Sequence, residues 1–178
     1  SASKPAPMPT TINAAADLAS EAPRVVLTGT VVSPTQLLGR NQFVIQAPDG
    51  RGLLVQGNAK QPTPSLHQTI RVEGTLVLND SGMSLRMYAT DRWTPAPTEG
   101  RRAVRVVDLL APSAEDEWSL IEVTGTVAAV NKQSLTLHLG ETAIRIRIPT
   151  VLGYRTERVK KVDTLRVRGL LALTKDEH

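Results

Sequence analysis

The chain has 178 residues, 40% of them hydrophobic, which suits one medium domain or two small ones with packed cores and excludes wholesale disorder. It contains no cysteine, which excludes disulfides and thiolate chemistry, and no apolar run approaches the roughly 18 residues of a membrane-spanning helix. The net charge of +4 is uneven: residues 1–118 carry 11 basic and 11 acidic side chains, residues 119–178 carry 10 and 6, so a basic surface is expected only in the last third.

In chain order, Pro5, Pro7 and Pro9 alternate in an extended tail. Alternate N–H groups of an extended segment point the same way, so these prolines delete donors from one edge and leave Ala6, Met8 and Thr10 able to donate from the other. A flexible linker is the plain alternative. A short helix carrying Asp17-Leu18-Ala19 completes residues 1–23. Period-two patterning then predicts strands over 24–35, 42–48, 51–57, 69–79 and 83–93, with hairpin turns at Asp49-Gly50 and Asp80-Ser81-Gly82. Between the third and fourth, residues 58–65 are too proline-rich for a helix. Residues 98–117 read as a linker with a second short helix around Asp108-Leu109-Leu110. Beyond it, strands are predicted over 119–131, 133–139, 143–149 and 163–173. Ala143-Ile144-Arg145-Ile146-Arg147-Ile148 alternates strictly, as a half-buried strand requires, and parity turns Arg145, Arg147, Arg166 and Arg168 outward.

The two halves repeat each other. Val26-Leu27-Thr28-Gly29-Thr30-Val31 is answered 96 positions on by Glu122-Val123-Thr124-Gly125-Thr126-Val127. Thr69-Ile70-Arg71-Val72-Glu73-Gly74 is answered 95 positions on by Thr164-Leu165-Arg166-Val167-Arg168-Gly169, and Asp17-Leu18 by Asp108-Leu109 at 91. Three ordered matches with nearly constant offset mark a duplicated unit. Glycine weakens a strand, so Gly29, Gly74, Gly125 and Gly169 mark bends or bulges where a small barrel closes.

A long first strand, a hairpin, a crossover and a fourth strand ending in glycine resemble the OB fold. The lead-in Asp-Leu step and the Val-x-Gly-x-Val strand are similar to OB modules strung together in secreted bacterial surface proteins. The resemblance implies an all-β chain of two tandem five-stranded barrels, residues 24–97 and 118–178. The second would lack its own fifth strand, because the sequence runs only to His178 after the fourth. An incomplete barrel exposes unpaired backbone, expected here beside the first strand, and such an edge invites pairing with another chain. The tail residues Ala6, Met8, Thr10 and Ile12 are the candidate donor strand. Head-to-tail repetition of that contact would give a homopolymer. Tandem-OB proteins that polymerise into extracellular filaments are the family this arrangement resembles, which implies a place at or outside the cell surface after removal of a signal sequence. A spacer from a longer surface protein, with its fifth strand beyond residue 178, is a further reading.

Catalytic constellations are not visible. His67, His138 and His178 show no ligand spacing, and nucleophile-elbow, P-loop and dinucleotide motifs are absent from the sequence. No enzyme activity and no required cofactor are expected. Calcium is a candidate ligand for Asp80, Glu115, Asp116 and Glu117, against the alternative of a turn and a solubilising acidic run. Single-strand nucleic-acid binders pair cations with stacking aromatics. Here aromatics are 3% of the chain, so Arg145, Arg147, Arg166 and Arg168 are cations without platforms. Weak polyanion or nucleic-acid binding through that face is the alternative function.

Overall fold

In a computed structural model that describes residues 6–34, 37–80, 82–98 and 104–173, the period-two stretches become two separate sheets. The chain opens with β1 (Met8–Pro9) and α1 (Ile12–Leu18), followed by β2 (Arg24–Val31), β3 (Gln42–Gln46), β4 (Gly52–Gln56), β5 (Thr69–Asn79), β6 (Gly82–Arg86) and β7 (Trp93–Pro95). Strands β2, β3, β4, β6 and β5 pair in that spatial order, and β5 returns to β2, so five strands close into a barrel. All of these pairings are antiparallel except β4 with β6. Closure buries alternate apolar residues: Leu27, Ile45, Val55, Ile70, Val72, Leu76 and Leu85 have no accessible surface. Each contributes on the order of 1.5–3 kcal/mol by leaving water. The helix α1 adds to this core. Thr11 caps it, with the Thr11 hydroxyl accepting from Ala14 N–H at 3.1 Å, and Ile12 and Ala15 join the same buried cluster.

The expected fifth strand at 83–93 is divided. After Arg86 the chain leaves the sheet, turns through Tyr88–Arg92, and returns as β7 to pair Trp93 with Val72 and Thr94 with Arg71. The break is held by the Asp91 carboxylate, which accepts from Tyr88 N–H at 2.7 Å and from Arg24 Nη2 at 3.0 Å. Residues 6–10 also have a place: Met8 and Pro9 pair in parallel with Val25 and Val26, and Thr10 N–H donates to Val26 at 3.1 Å.

The second sheet contains β8 (Leu120–Asn131), β9 (Ser134–Leu139), β10 (Thr142–Arg147) and β11 (Thr164–Leu170), in the spatial order β10, β9, β8, β11. It does not close among the described residues. Two sequence-based expectations are corrected here. The first strand is not the open edge, because β8 is paired along one side by β11 and along the other by β9. Among the described residues the unpaired edges belong to β10 and β11. Residues 104–117 form no α-helix either: Asp108–Leu110 is a turn with Leu110 77% exposed, and only a single 3-10 turn spans Ala114–Asp116. With one leucine pair and no barrel end to fill, that lead-in lacks the apolar surface that orders α1.

The duplication extends to backbone strain. Ala22 and Trp118, each just before a first strand, have φ of 48° and 64°; His67 and Val162, each just before a fourth strand, have φ of 72° and 68°. In both units the second residue of that set donates to the first strand: His67 N–H to Val31 at 2.8 Å and Val162 N–H to Val127 at 2.9 Å. A left-handed β-branched residue costs roughly 1–2 kcal/mol, and Val162 is 81% exposed, so no packing offsets it. Val162→Gly is therefore expected to stabilise the second unit by about 1 kcal/mol in denaturant titration. No change, or a loss, would show that the strain is relieved elsewhere.

Candidate functional site

The site is the gap between β10 and β11. In the barrel the corresponding gap, between β4 and β5, is filled by β6, parallel to one and antiparallel to the other. The equivalence can be fixed residue by residue. A Cβ on Gly29 would meet Ile45 Cβ at 3.0 Å, and a Cβ on Gly125 would meet Leu137 Cβ at 3.2 Å. Each first-strand glycine thus lets the second strand cross closely. Ile45 pairs with Leu53 and Leu137 with Ile144, so β10 stands where β4 stands, with Arg145 and Arg147 at the positions of Leu54 and Gln56.

The fourth-strand glycines then part company. A Cβ on Gly74 would lie 2.9 Å from Leu85 Cγ and from the Arg86 carbonyl, because β6 is packed directly against it. A Cβ on Gly169 would meet no described residue within 4 Å. The second unit carries a glycine at the position that β6 presses against in the first, and the space in front of it is free of the described residues. Comparison with protein-family models, curated proteins and solved structures finds no match for this chain.

The walls of the gap are apolar inside and cationic outside. Ile144, Ile146, Leu165 and Val167 alternate with Arg145, Arg147, Arg166 and Arg168; the aliphatic set is half-buried and the arginines are exposed. Val127, Leu135 and Leu137 are the hydrophobic residues the sheet buries fully. Arg166 and Arg168 lean on Glu122, at 3.8 Å and 2.5 Å, and the hydrogen bond from Arg168 holds the Glu122 carboxyl below its ordinary pKa. Arg145 and Arg147 make no such ion pair among the described residues. A cleft of about 410 Å³ is lined by Val104, Val107 and Leu109 of the lead-in and by Ile121 and Val123 of β8.

The candidate donor residues lie elsewhere. Met8 and Thr10 are engaged on β2, Ala6 is exposed, and Ile12 is 1% exposed inside the barrel core. Ile12 therefore belongs to the plug and not to a free tail. A one-sided strand is what the prolines dictate, and the structure gives it a one-sided place on its own barrel. The internal lead-in does the same in the second unit, with Arg105 N–H donating to Leu120 at 3.0 Å. Sequence reasoning missed this parallel, although both segments precede first strands at the repeat distance.

The calcium candidates also separate. Asp80 is exposed in the β5–β6 turn, whose Ser81 lies outside the described residues. Glu115 faces Arg51 at 3.8 Å, and Asp116 accepts from Arg105 Nε at 3.0 Å and from Ser113 N–H at 2.8 Å. Glu117 accepts from the Leu173 backbone, and burial raises its pKa. Among the described residues no three carboxylates or histidines converge.

Asp116 yields a pH prediction. Burial alone would raise its pKa, but hydrogen bonds from Ser113 and Arg105 outweigh it and the net shift is downward. A depressed carboxyl pKa stabilises the fold above the unfolded value and loses that contribution as pH falls through the folded one. Tryptophan emission is expected to hold down to about pH 4 and to change below it, and Asp116→Asn, which has no carboxyl to titrate, should show the altered emission already at neutral pH. An acid-insensitive signal would mean that Asp116 does not anchor the linker.

Proposed function

We propose that this chain is a non-catalytic structural protein of two tandem OB-like units, the second of which is completed by an extended strand from another polypeptide. The free space in front of Gly169 carries this reading, since the same glycine in the first unit exists to admit β6. The closure order of the first barrel, with its single parallel pairing, supports the OB resemblance. Two unpaired edges around a half-buried aliphatic face give a strand both backbone partners and apolar contact. The resemblance to secreted bacterial surface modules supports a place at or outside the cell surface.

Head-to-tail homopolymerisation through the N-terminal tail is the narrower form of this proposal, and two observations weigh against that donor. Its free N–H groups already serve β2, and its prolines can satisfy one edge where the gap has two. The test is amide exchange on the isolated chain together with its mass in solution. The outward amides of β10 and β11 are expected to exchange quickly while those of β2 and β5 are protected. Protection of β10 and β11 in a monomer would overturn the acceptor role. Protection that appears only in an oligomer, and is lost on deleting residues 1–10, would restore the tail as donor; the deletion must stop before Ile12, which is core.

A second reading rests on Arg145 and Arg147, which are exposed and unpaired among the described residues. They support weak, salt-sensitive polyanion binding on the outer face. Absence of any shift of single-stranded DNA at low ionic strength would remove it.

A further inference from the structure

The gap selects its strand by charge. Resting on the acceptor reading above, we infer that the occupant is a segment of a partner protein in which aliphatic and acidic residues alternate. Transferring the register of β6 and β7 sets the pattern. A residue at the position of Leu85 faces inward beside Ile146, because Leu85 pairs with Val55, and one at the position of Trp93 lies beside Val167, because Trp93 pairs with Val72. A residue at the position of Ser84 lies beside Arg145, because Ser84 pairs with Leu54; one at the position of Arg86 lies beside Arg147, because Arg86 pairs with Gln56. On the other wall, Thr94 pairs with Arg71, so the matching residue faces Arg166. Each of these three outward positions therefore meets an arginine. Directly opposite unlike charges stabilise a strand pair and like charges destabilise it.

Arg145 and Arg147 also work against a second β10, a second β6 and residues 1–10 as occupants. Two copies joined by β10 to β10 would set Arg145 and Arg147 against their own counterparts, a common way of blunting an edge. The strand β6 of a second copy brings Arg86 to the position beside Arg147. Residues 1–10 contain Lys4 and no carboxylate. Carboxylates between aliphatic residues satisfy both faces of the gap, and neither internal segment has them.

The test uses labelled synthetic peptides of about ten residues, one strand length, with alternating valine and glutamate, and with serine or lysine in place of glutamate. A fourth peptide is Ser1–Thr10. Anisotropy gives affinity, and amide exchange locates the bound peptide. The glutamate peptide is expected to bind about tenfold tighter than the lysine peptide at low salt, with new protection on both β10 and β11. Arg145→Glu with Arg147→Glu should reverse the preference toward lysine. Equal binding of serine and glutamate peptides would overturn the charge rule and leave the acceptor reading standing. Tightest binding by Ser1–Thr10 would overturn the inference in favour of self-donation. Glutamate binding without protection at β10 and β11 would assign the effect to the outer face and overturn it as well. Should no peptide bind, the inference fails, and the exchange of β10 and β11 in the isolated chain alone judges the acceptor role.

Discussion

Gly74→Ala is expected to lower stability by about 2 kcal/mol, while Gly169→Ala leaves the isolated chain within about 0.5 kcal/mol of the parent. The two glycines are equivalent in sequence and in backbone position, so the contrast isolates one cause. At residue 74 the new methyl would approach Leu85 Cγ and the Arg86 carbonyl at 2.9 Å. Leu85 has no exposed surface and cannot swing away, so β6 itself must shift. At residue 169 the methyl meets no described residue within 4 Å, and replacing glycine within a strand even recovers a few tenths of a kcal/mol of chain entropy. Denaturant unfolding, followed with amide exchange to separate the units, gives both values. The Gly169→Ala chain has a second expected property: a strand seated between β10 and β11 should meet the methyl as β6 would at residue 74, so peptide affinity should fall at least tenfold. A large stability loss from Gly169→Ala would mean that the gap is already filled, and the acceptor role would fall with it.

How far the sequence speaks for the fold depends on whether the signal is local. Strands with period-two alternation were legible almost to the residue: 69–79 coincides with β5, and 143–149 contains all of β10 but Thr142. The strand glycines were legible as a class, but not their reasons, because the residues that press on Gly29, Gly74 and Gly125 are 11 to 17 positions away. The excursion at Tyr88–Arg92 was invisible. Its cause is a contact between Asp91 and Arg24, 67 residues apart, and no propensity marks it. The open edge was placed beside the wrong strand for a related reason. Strand content follows from the sequence, whereas neighbour order follows from closure, and only the closed unit shows that a fifth strand belongs between the third and fourth. Of the candidate site, the outward arginines were legible by parity; the empty face of Gly169 was not.

Asp91→Ala should cost about 3 kcal/mol, the largest loss expected from a single polar residue outside the barrel core. The Asp91 side chain is 3% exposed, and it holds Arg24 through Nη2 at 3.0 Å and Nε at 3.3 Å while accepting Tyr88 N–H at 2.7 Å. Truncation leaves a guanidinium that is 20% exposed without its buried carboxylate, while Glu73, at 3.6 Å, is itself 39% exposed. It also frees the loop whose backbone Asn58 Nδ2 grips at the Tyr88 and Asp91 carbonyls. That loop sets where β6 ends and β7 begins, so loosening it should raise exchange at Trp93–Pro95 before the rest of the barrel opens. Replacing both partners, Arg24→Met with Asp91→Leu, removes the buried charges together and should cost much less than Asp91→Ala alone. A double variant as unstable as the single one would mean that Asp91 acts through the Tyr88 turn and not through the ion pair. The first unit depends on this clasp to divide and hold its own fifth strand, and the second unit has no counterpart to it among the described residues.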